Sequence, residues 1–183
     1  MKCILGLDIS TSITGATVLS LDGDVLYNEA WDTRNKNKFP TLFHKAEFVK
    51  EKILQLTLAH DLDSVYIEES LQSFRSGFSS AKTISTLAKF NGIVSYLVFQ
   101  ELKREPIYLA ATSARKLYGV KVPRGTKAKQ KVLEHVLDNE KSFLIFYTRN
   151  GNPAPDTYDR ADSLVIARAG LELWKQTKRE SES

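Results

Sequence analysis

Short apolar runs alternate along the chain with longer amphipathic stretches. Ile4 to Leu7 and Ala16 to Leu19 are apolar, separated by a turn of small residues, Ser10, Thr11, Ser12 and Gly15. Runs this short, bounded by turn residues, predict two buried strands. Val18-Leu19-Ser20-Leu21 and Val25-Leu26-Tyr27 flank Asp22-Gly23, a hairpin signal, and a third strand follows through Tyr27 to Trp31. Pro40 then opens a helix in which Phe43, Ala46, Val49, Ile53 and Leu56 recur at helical spacing, so one face packs on a sheet. Ser64 to Ile67 reads as a fourth strand and Ile107 to Leu109, after Pro106, as a fifth. Between them a long helix spans Ala81 to about Leu102. It is apolar over more than one stripe, which predicts burial on two sides, by the sheet and either a neighbouring helix or a second subunit.

Further on, Ser113 is expected to cap a short helix from Ala114 to Tyr118, and Thr126 a helix from Lys127 to about Val136. Phe143 to Tyr147 reads as a short strand or packing turn, and Arg149 to Thr157, with its Gly and Pro residues, as a mobile loop. A last helix is expected from near Asp159 through Trp174, and the charged residues from Lys175 onward are expected to fray. Strands alternating with helices in 183 residues give an α/β chain of one domain, with no internal repeat and no linker.

Composition adds little to this, with 42% hydrophobic and 26% charged residues. The single cysteine, Cys3, excludes an intrachain disulfide and a cysteine-built zinc site. No membrane span or signal-peptide pattern is read, so the expected location is cytoplasmic. The net charge of +4 permits an anionic partner without requiring one, so its distribution matters more than its sum. Arg115, Lys116, Lys121, Arg124, Lys127, Lys129 and Lys131 fall within one stretch that contains no acid, and a phosphate backbone is its expected contact. Arg34 to Lys38, rich in Lys and Asn, reads as a solvated connection. Phe74, Arg75 and Phe78 lie in a Gly- and Ser-containing loop, where the rings either stack on unpaired bases or tuck into the core. His44 and His60 have no visible ligand partner, and His135 reads as surface.

The chemistry lies in the acids. Asp8 ends the first strand and Glu68-Glu69 the fourth. Adjacent strand side chains point oppositely, so one glutamate faces the same site and the other does not. Asp159 and Asp162, three apart at the head of the last helix, share a face. Burying an ionised carboxylate beside a sheet core is unfavourable without a compensating cation. Two like charges at about 4 Å repel by roughly 4 kcal/mol at an effective dielectric of 20. Oxygen ligands in this number suit Mg²⁺ or Mn²⁺, and two such ions about 3.5–4 Å apart perform in-line phosphodiester displacement. Lys129 or Lys116 would neutralise charge near the phosphate while the basic segment holds the DNA backbone.

Leu5-Gly6-Leu7-Asp8 with Thr14-Gly15, Tyr66-Ile67-Glu68, Gly125-Thr126-Lys127-Ala128-Lys129 and Asp159-Arg160-Ala161-Asp162-Ser163-Leu164-Val165-Ile166-Ala167 resemble, in order and spacing, the RuvC-type Holliday-junction resolvases. The resemblance covers nearly the whole chain. It implies a ribonuclease H-like mixed five-stranded sheet flanked by helices, with residues 1–175 as one nuclease domain and 176–183 as a flexible tail. Asp8, Glu68, Asp159 and Asp162 would bind Mg²⁺ (Mn²⁺ substituting), and Lys116 and Lys129 would match the family's basic residues near the phosphate. The helix from Ala81 would form a homodimer interface, and two sites would nick strands of a four-way DNA junction symmetrically. The chain departs from the family in having Asp8-Ile9-Ser10 in place of Asp-Pro-Gly, and a longer segment after Glu68, where Phe74 or Phe78 would stand for the stacking aromatic. These departures resemble a divergent, phage-like member. The turn Asp8-Ile9-Ser10-Thr11-Ser12 is also similar to the phosphate loop of sugar kinases and actin-like ATPases, which implies an ATP-dependent phosphotransferase instead. A non-catalytic branched-DNA-binding protein is the third reading, and it would be expected to lack one of the four acids.

Overall fold

The computed structural model describes residues 1–69 and 81–181. Phe74, Arg75 and Phe78 therefore lie outside the described residues. The chain forms β1 (Lys2–Asp8), β2 (Ile13–Ser20), β3 (Val25–Asp32), α1 (Leu42–Ala59), β4 (Asp61–Glu68), α2 (Ala81–Leu102), β5 (Ile107–Leu109), α3 (Ala111–Leu117), α4 (Ala128–Asn139) and α5 (Asp156–Ser181). The five strands make one mixed sheet in the order β3-β2-β1-β4-β5. β2 is antiparallel to β1 and β3, whereas β4 runs parallel to β1 and β5 parallel to β4.

Side-chain alternation along β1 divides the core between the two faces of the sheet. Leu5, Leu7 and Ile9 pack with Val49 and Ile53 of α1 and with Phe90, Val94 and Val98 of α2. Ile4 points the other way, into a cluster with Leu164, Val165 and Ile166 of α5 and Val132 and Val136 of α4. α5 is buried on nearly every side from Thr157 to Leu171, because the sheet covers one flank and α3 and α4 cover another. Its approach to the sheet is close enough to require glycine. A Cβ on Gly6 would come 2.5 Å from the Ala167 backbone nitrogen, and one on Gly15 would come 2.0 Å from the Asp159 carbonyl oxygen.

Element ends differ from expectation where a local bond outweighs a sequence cue. Pro40 does not open α1; Thr41 is its N-cap, and its hydroxyl accepts from the His44 amide. Ser113 lies inside α3, which starts after Ala110 without a side-chain cap. Thr126 does not cap α4, because its hydroxyl donates to the Pro123 carbonyl at 2.7 Å and closes the preceding turn. α5 starts at Asp156, three residues before Asp159, and continues past Lys175 to Ser181. Phe143 to Tyr147 forms no strand. Instead Tyr147 bridges Pro153, and the Thr148 amide donates to Asn152, so the segment expected to be mobile is a hydrogen-bonded turn. His135 is half-buried, edge-on to the Tyr118 ring at 4.8 Å.

Candidate active site

Strand direction gathers the acids. β1 and β4 are parallel and paired up to Leu7 and Ile67, so Asp8 and Glu68 leave the sheet side by side at one edge. Asp8 has the parity of Ile4, and Glu68 that of Tyr66, and both of those residues pack on the α5 face. α5 arrives over this edge with its carbonyl at Asp159 against Gly15, the β2 partner of Asp8. Asp159 and Asp162, on successive turns of α5, are thereby brought to the two strand-end acids.

The proton affinities record this crowding. Asp8 is raised well above the usual carboxylate range, first by burial and then by the charges of Glu68, Asp162 and Asp159. Glu68 is raised to about 7 by burial and by Asp162, with Arg115 and Lys129 acting against the shift. Burial raises Asp159 to about 6; Lys129 opposes that shift, while Asp162 adds to it. Asp162 is raised by burial, which outweighs the opposing pull of Lys129 and Arg115. The nearest ion pair in the group is Lys129 Nζ to Asp162 Oδ2, at 3.7 Å.

The donor set matches a hard cation in kind: four carboxylates, all oxygen, with mutual repulsion that a divalent ion would relieve. It is not closed to ligation. Among the described residues, no three His, Cys, Asp or Glu side chains converge as a metal cage.

Besides Lys129, it is Arg115 that acts electrostatically on Glu68 and Asp162. Lys116 is exposed and, with Thr112, Arg115, Gly119 and Lys121, lines a groove of about 530 Å³ between α3 and the segment after it. Lys121, Arg124 and Lys127 are exposed to solvent. Lys131 pairs with Glu134 at 2.6 Å, so its charge is engaged within α4.

A buried network missed in the sequence holds the acid-bearing turn of α5 in place. The Asn28 side-chain amide donates to Thr17 Oγ1 at 2.7 Å and to the Arg160 carbonyl at 3.0 Å. Arg160 Nε returns a bond to Asn28 Oδ1 at 3.1 Å, and Ser163 Oγ meets both the Arg160 carbonyl and Thr17 Oγ1. The guanidinium lies 4.9 Å from the Phe143 ring centroid. On the other flank, Asn91 of α2 donates to the Glu68 carbonyl at 3.3 Å. The phosphate-loop reading loses ground in the first turn. There the Ser12 and Ile13 amides donate to Ser10 Oγ, which leaves them committed to the chain's own side chain.

No protein-family model matches the sequence, and no curated protein matches it. Solved structures do. Thermus thermophilus RuvC in complex with a Holliday junction substrate superposes with a TM-score of 0.66 at 14% identity, over 96% of each chain. The yeast mitochondrial Holliday junction resolvase Ydc2 gives 0.63 at 17% identity, over 96% of this chain and 80% of that one. The chain has the RuvC-type resolvase fold. Fowlpox virus resolvase, in a complex with Holliday junction DNA, gives 0.53 at 16% identity over 94% of this chain and 98% of that one. The RuvC-like sheet, mixed and five-stranded with helices on both faces, is the one expected from the four motifs. No helix among the described residues is long and apolar enough to cross a membrane.

Proposed function

We propose that this protein is a metal-dependent endonuclease that resolves four-way and related branched DNA by phosphodiester hydrolysis. The reading is supported by the charges of Asp8, Glu68, Asp159 and Asp162 acting on one another at the C-terminal ends of β1 and β4 and the head of α5, with Lys129 and Arg115 as the cations acting on them. Asp8, Glu68, Asp159 and Asp162 would hold two Mg²⁺ or Mn²⁺ ions, which supply an activated water and stabilise the leaving oxygen. Lys129, exposed beside Asp162, would bind a phosphate oxygen entering the cluster. Arg115 shares its charge between the acids and the groove, so it orients the backbone that Lys116 and Lys121 receive. Lys121, Arg124 and Lys127 extend the cationic track beyond it.

We read the protein as a homodimer through α2. The helix buries Phe90, Val94 and Val98 yet exposes Tyr96 and Phe99, at 63% and 42%, on its opposite side. Gly92 and Ala88 lie on that exposed stripe, one and two turns before Tyr96. Pairing two such helices would give two sites and symmetric nicks.

The test is incubation with four-way, three-way, flapped and linear DNA in Mg²⁺, Mn²⁺ or EDTA. Asp8→Asn is expected to abolish cutting while junction binding persists. Cutting by that variant at the wild-type rate would remove Asp8 from the reaction and the site assignment with it.

A further inference from the structure

The segment 33–41 between β3 and α1 contains three cations, Arg34, Lys36 and Lys38, and no acid. In sequence it reads as a connection exposed to water, but the sheet gives it a specific address. β3 is antiparallel to β2, which is antiparallel to β1, so β3 ends at Asp32 on the same edge as Asp8 and Glu68. β5 is parallel to β4 and delivers α3 to that edge from the other side. In the order β3-β2-β1-β4-β5, the acid-bearing β1 is central. The two outer strands lie two places away, about 10 Å to either side at ordinary strand spacing.

The segment is bound to the turn that follows Asp8. Thr33, buried, donates its amide to the Ser12 carbonyl at 2.8 Å and its hydroxyl to the carbonyls of Thr11 and Ser12. Lys45, on the first turns of α1, donates to the Thr11 carbonyl as well. Arg34 is paired with Asp32 at 2.5 Å, and Asp156 and Asp159 at the head of α5 also act on its charge. Lys36 is close enough to Lys45 for the two charges to repel. Arg34 is thus balanced by Asp32 and the head of α5, and Lys45 is half-buried on the Thr11 carbonyl, while Lys36 and Lys38 stand exposed beside them. Exposed cations held beside further positive charge in this way favour an approaching polyanion.

We propose that Lys36 and Lys38, flanked by Arg34 and Lys45, form a second phosphate-binding wall for nucleic acid, facing the α3–α4 wall across the acid cluster. DNA is then gripped on both sides of the strand that is cut, and the β3–α1 segment contributes contacts that hold the backbone over Asp8. This rests on the nuclease reading for its ligand, and it is tested by binding rather than by cutting.

The experiment measures anisotropy of a labelled four-way junction in EDTA against salt concentration, for wild type, Lys36→Gln/Lys38→Gln and Lys36→Arg/Lys38→Arg. Both lysines are exposed, so the variants fold, and their melting temperatures provide the control. Each lost phosphate contact lowers the slope of log K against log salt by about 0.9, so the Gln pair is expected to lower it by about 2 and the Arg pair to keep it. A wild-type slope in the Gln pair overturns the second wall, even if the protein cuts junctions as proposed. If the Gln pair flattens the slope and the wild type cuts no DNA with Mn²⁺, the wall stands and the nuclease reading falls. Wild type that binds no DNA overturns both.

Discussion

At the scale of single residues, Asp63 shows how strongly placement decides what a charge does. Lys2 Nζ and Trp174 Nε1 both reach its carboxylate at 2.8 Å, joining the start of β1 and the later turns of α5 to β4. Burial alone would raise this acid, but the bonds from Lys2 and Trp174 outweigh it and hold the carboxyl at about 2. A folded value below the unfolded one stabilises the protein above about pH 4, and the stability is lost as pH falls through the folded value. The full shift corresponds to about 2 kcal/mol, and the half-exposed Lys2 reduces it towards about 1 kcal/mol. Asp63→Asn is therefore expected to cost about 1–2 kcal/mol at pH 7 and to flatten the stability profile between pH 5 and 2, read by urea unfolding across pH. The site acids were legible one by one, since a strand that delivers a carboxylate at its end is a local pattern. Arg160 and Asn28 were not, because their bond joins positions 132 apart in the chain. Nor could spacing choose between neighbours: Arg115 and Lys116 are equally basic in sequence, and only the folded chain sets the charge of Arg115 to act on Glu68 and Asp162.

Among the elements, α5 does most to assemble the site, and its closeness to the β1–β2 hairpin can be tested directly. Gly15→Ala would drive a methyl group into the Asp159 carbonyl, backbone against backbone, with no flexible side chain to give way. Overpacking of this kind costs about 1–3 kcal/mol, and relief by sliding α5 would also displace Asp159. The variant is expected to unfold at lower urea, and the fraction that stays folded to cut poorly; wild-type stability and cutting together would refute the close packing. The five strands and the long α2 could be read from the chain because their apolar runs and periodicities are local. Helix starts could not, for a physical reason visible at each one. Thr126 can bond forward to a helix or back to a turn, and the Pro123 carbonyl takes it. Asp159 looked like a first residue because it is acidic. Helix dipoles accept acids throughout the first turn, and Asp156 occupies the earlier place.

Across the whole molecule, the two faces of the sheet are covered unequally. α5, backed by α3 and α4, seals one side, whereas α1 and α2 form a single layer on the other. Among the described residues, Tyr96 and Phe99 stand exposed three residues apart on the outer face of α2. Aromatic side chains at the centre of an interface commonly contribute about 2 kcal/mol or more each, or roughly 30-fold in affinity. Tyr96→Glu/Phe99→Glu should therefore raise the dimer dissociation constant by 30-fold or more in sedimentation equilibrium. The melting temperature measured under conditions where both proteins are monomeric should stay the same, because neither side chain supports the core. On a four-way junction the variant should release singly nicked products in place of paired cuts, since each acid cluster would act alone. A double variant that sediments as wild type would move the interface off α2 while leaving the chemistry of the acid cluster untouched, because Asn91, which contacts the Glu68 carbonyl, lies on the buried face of the same helix.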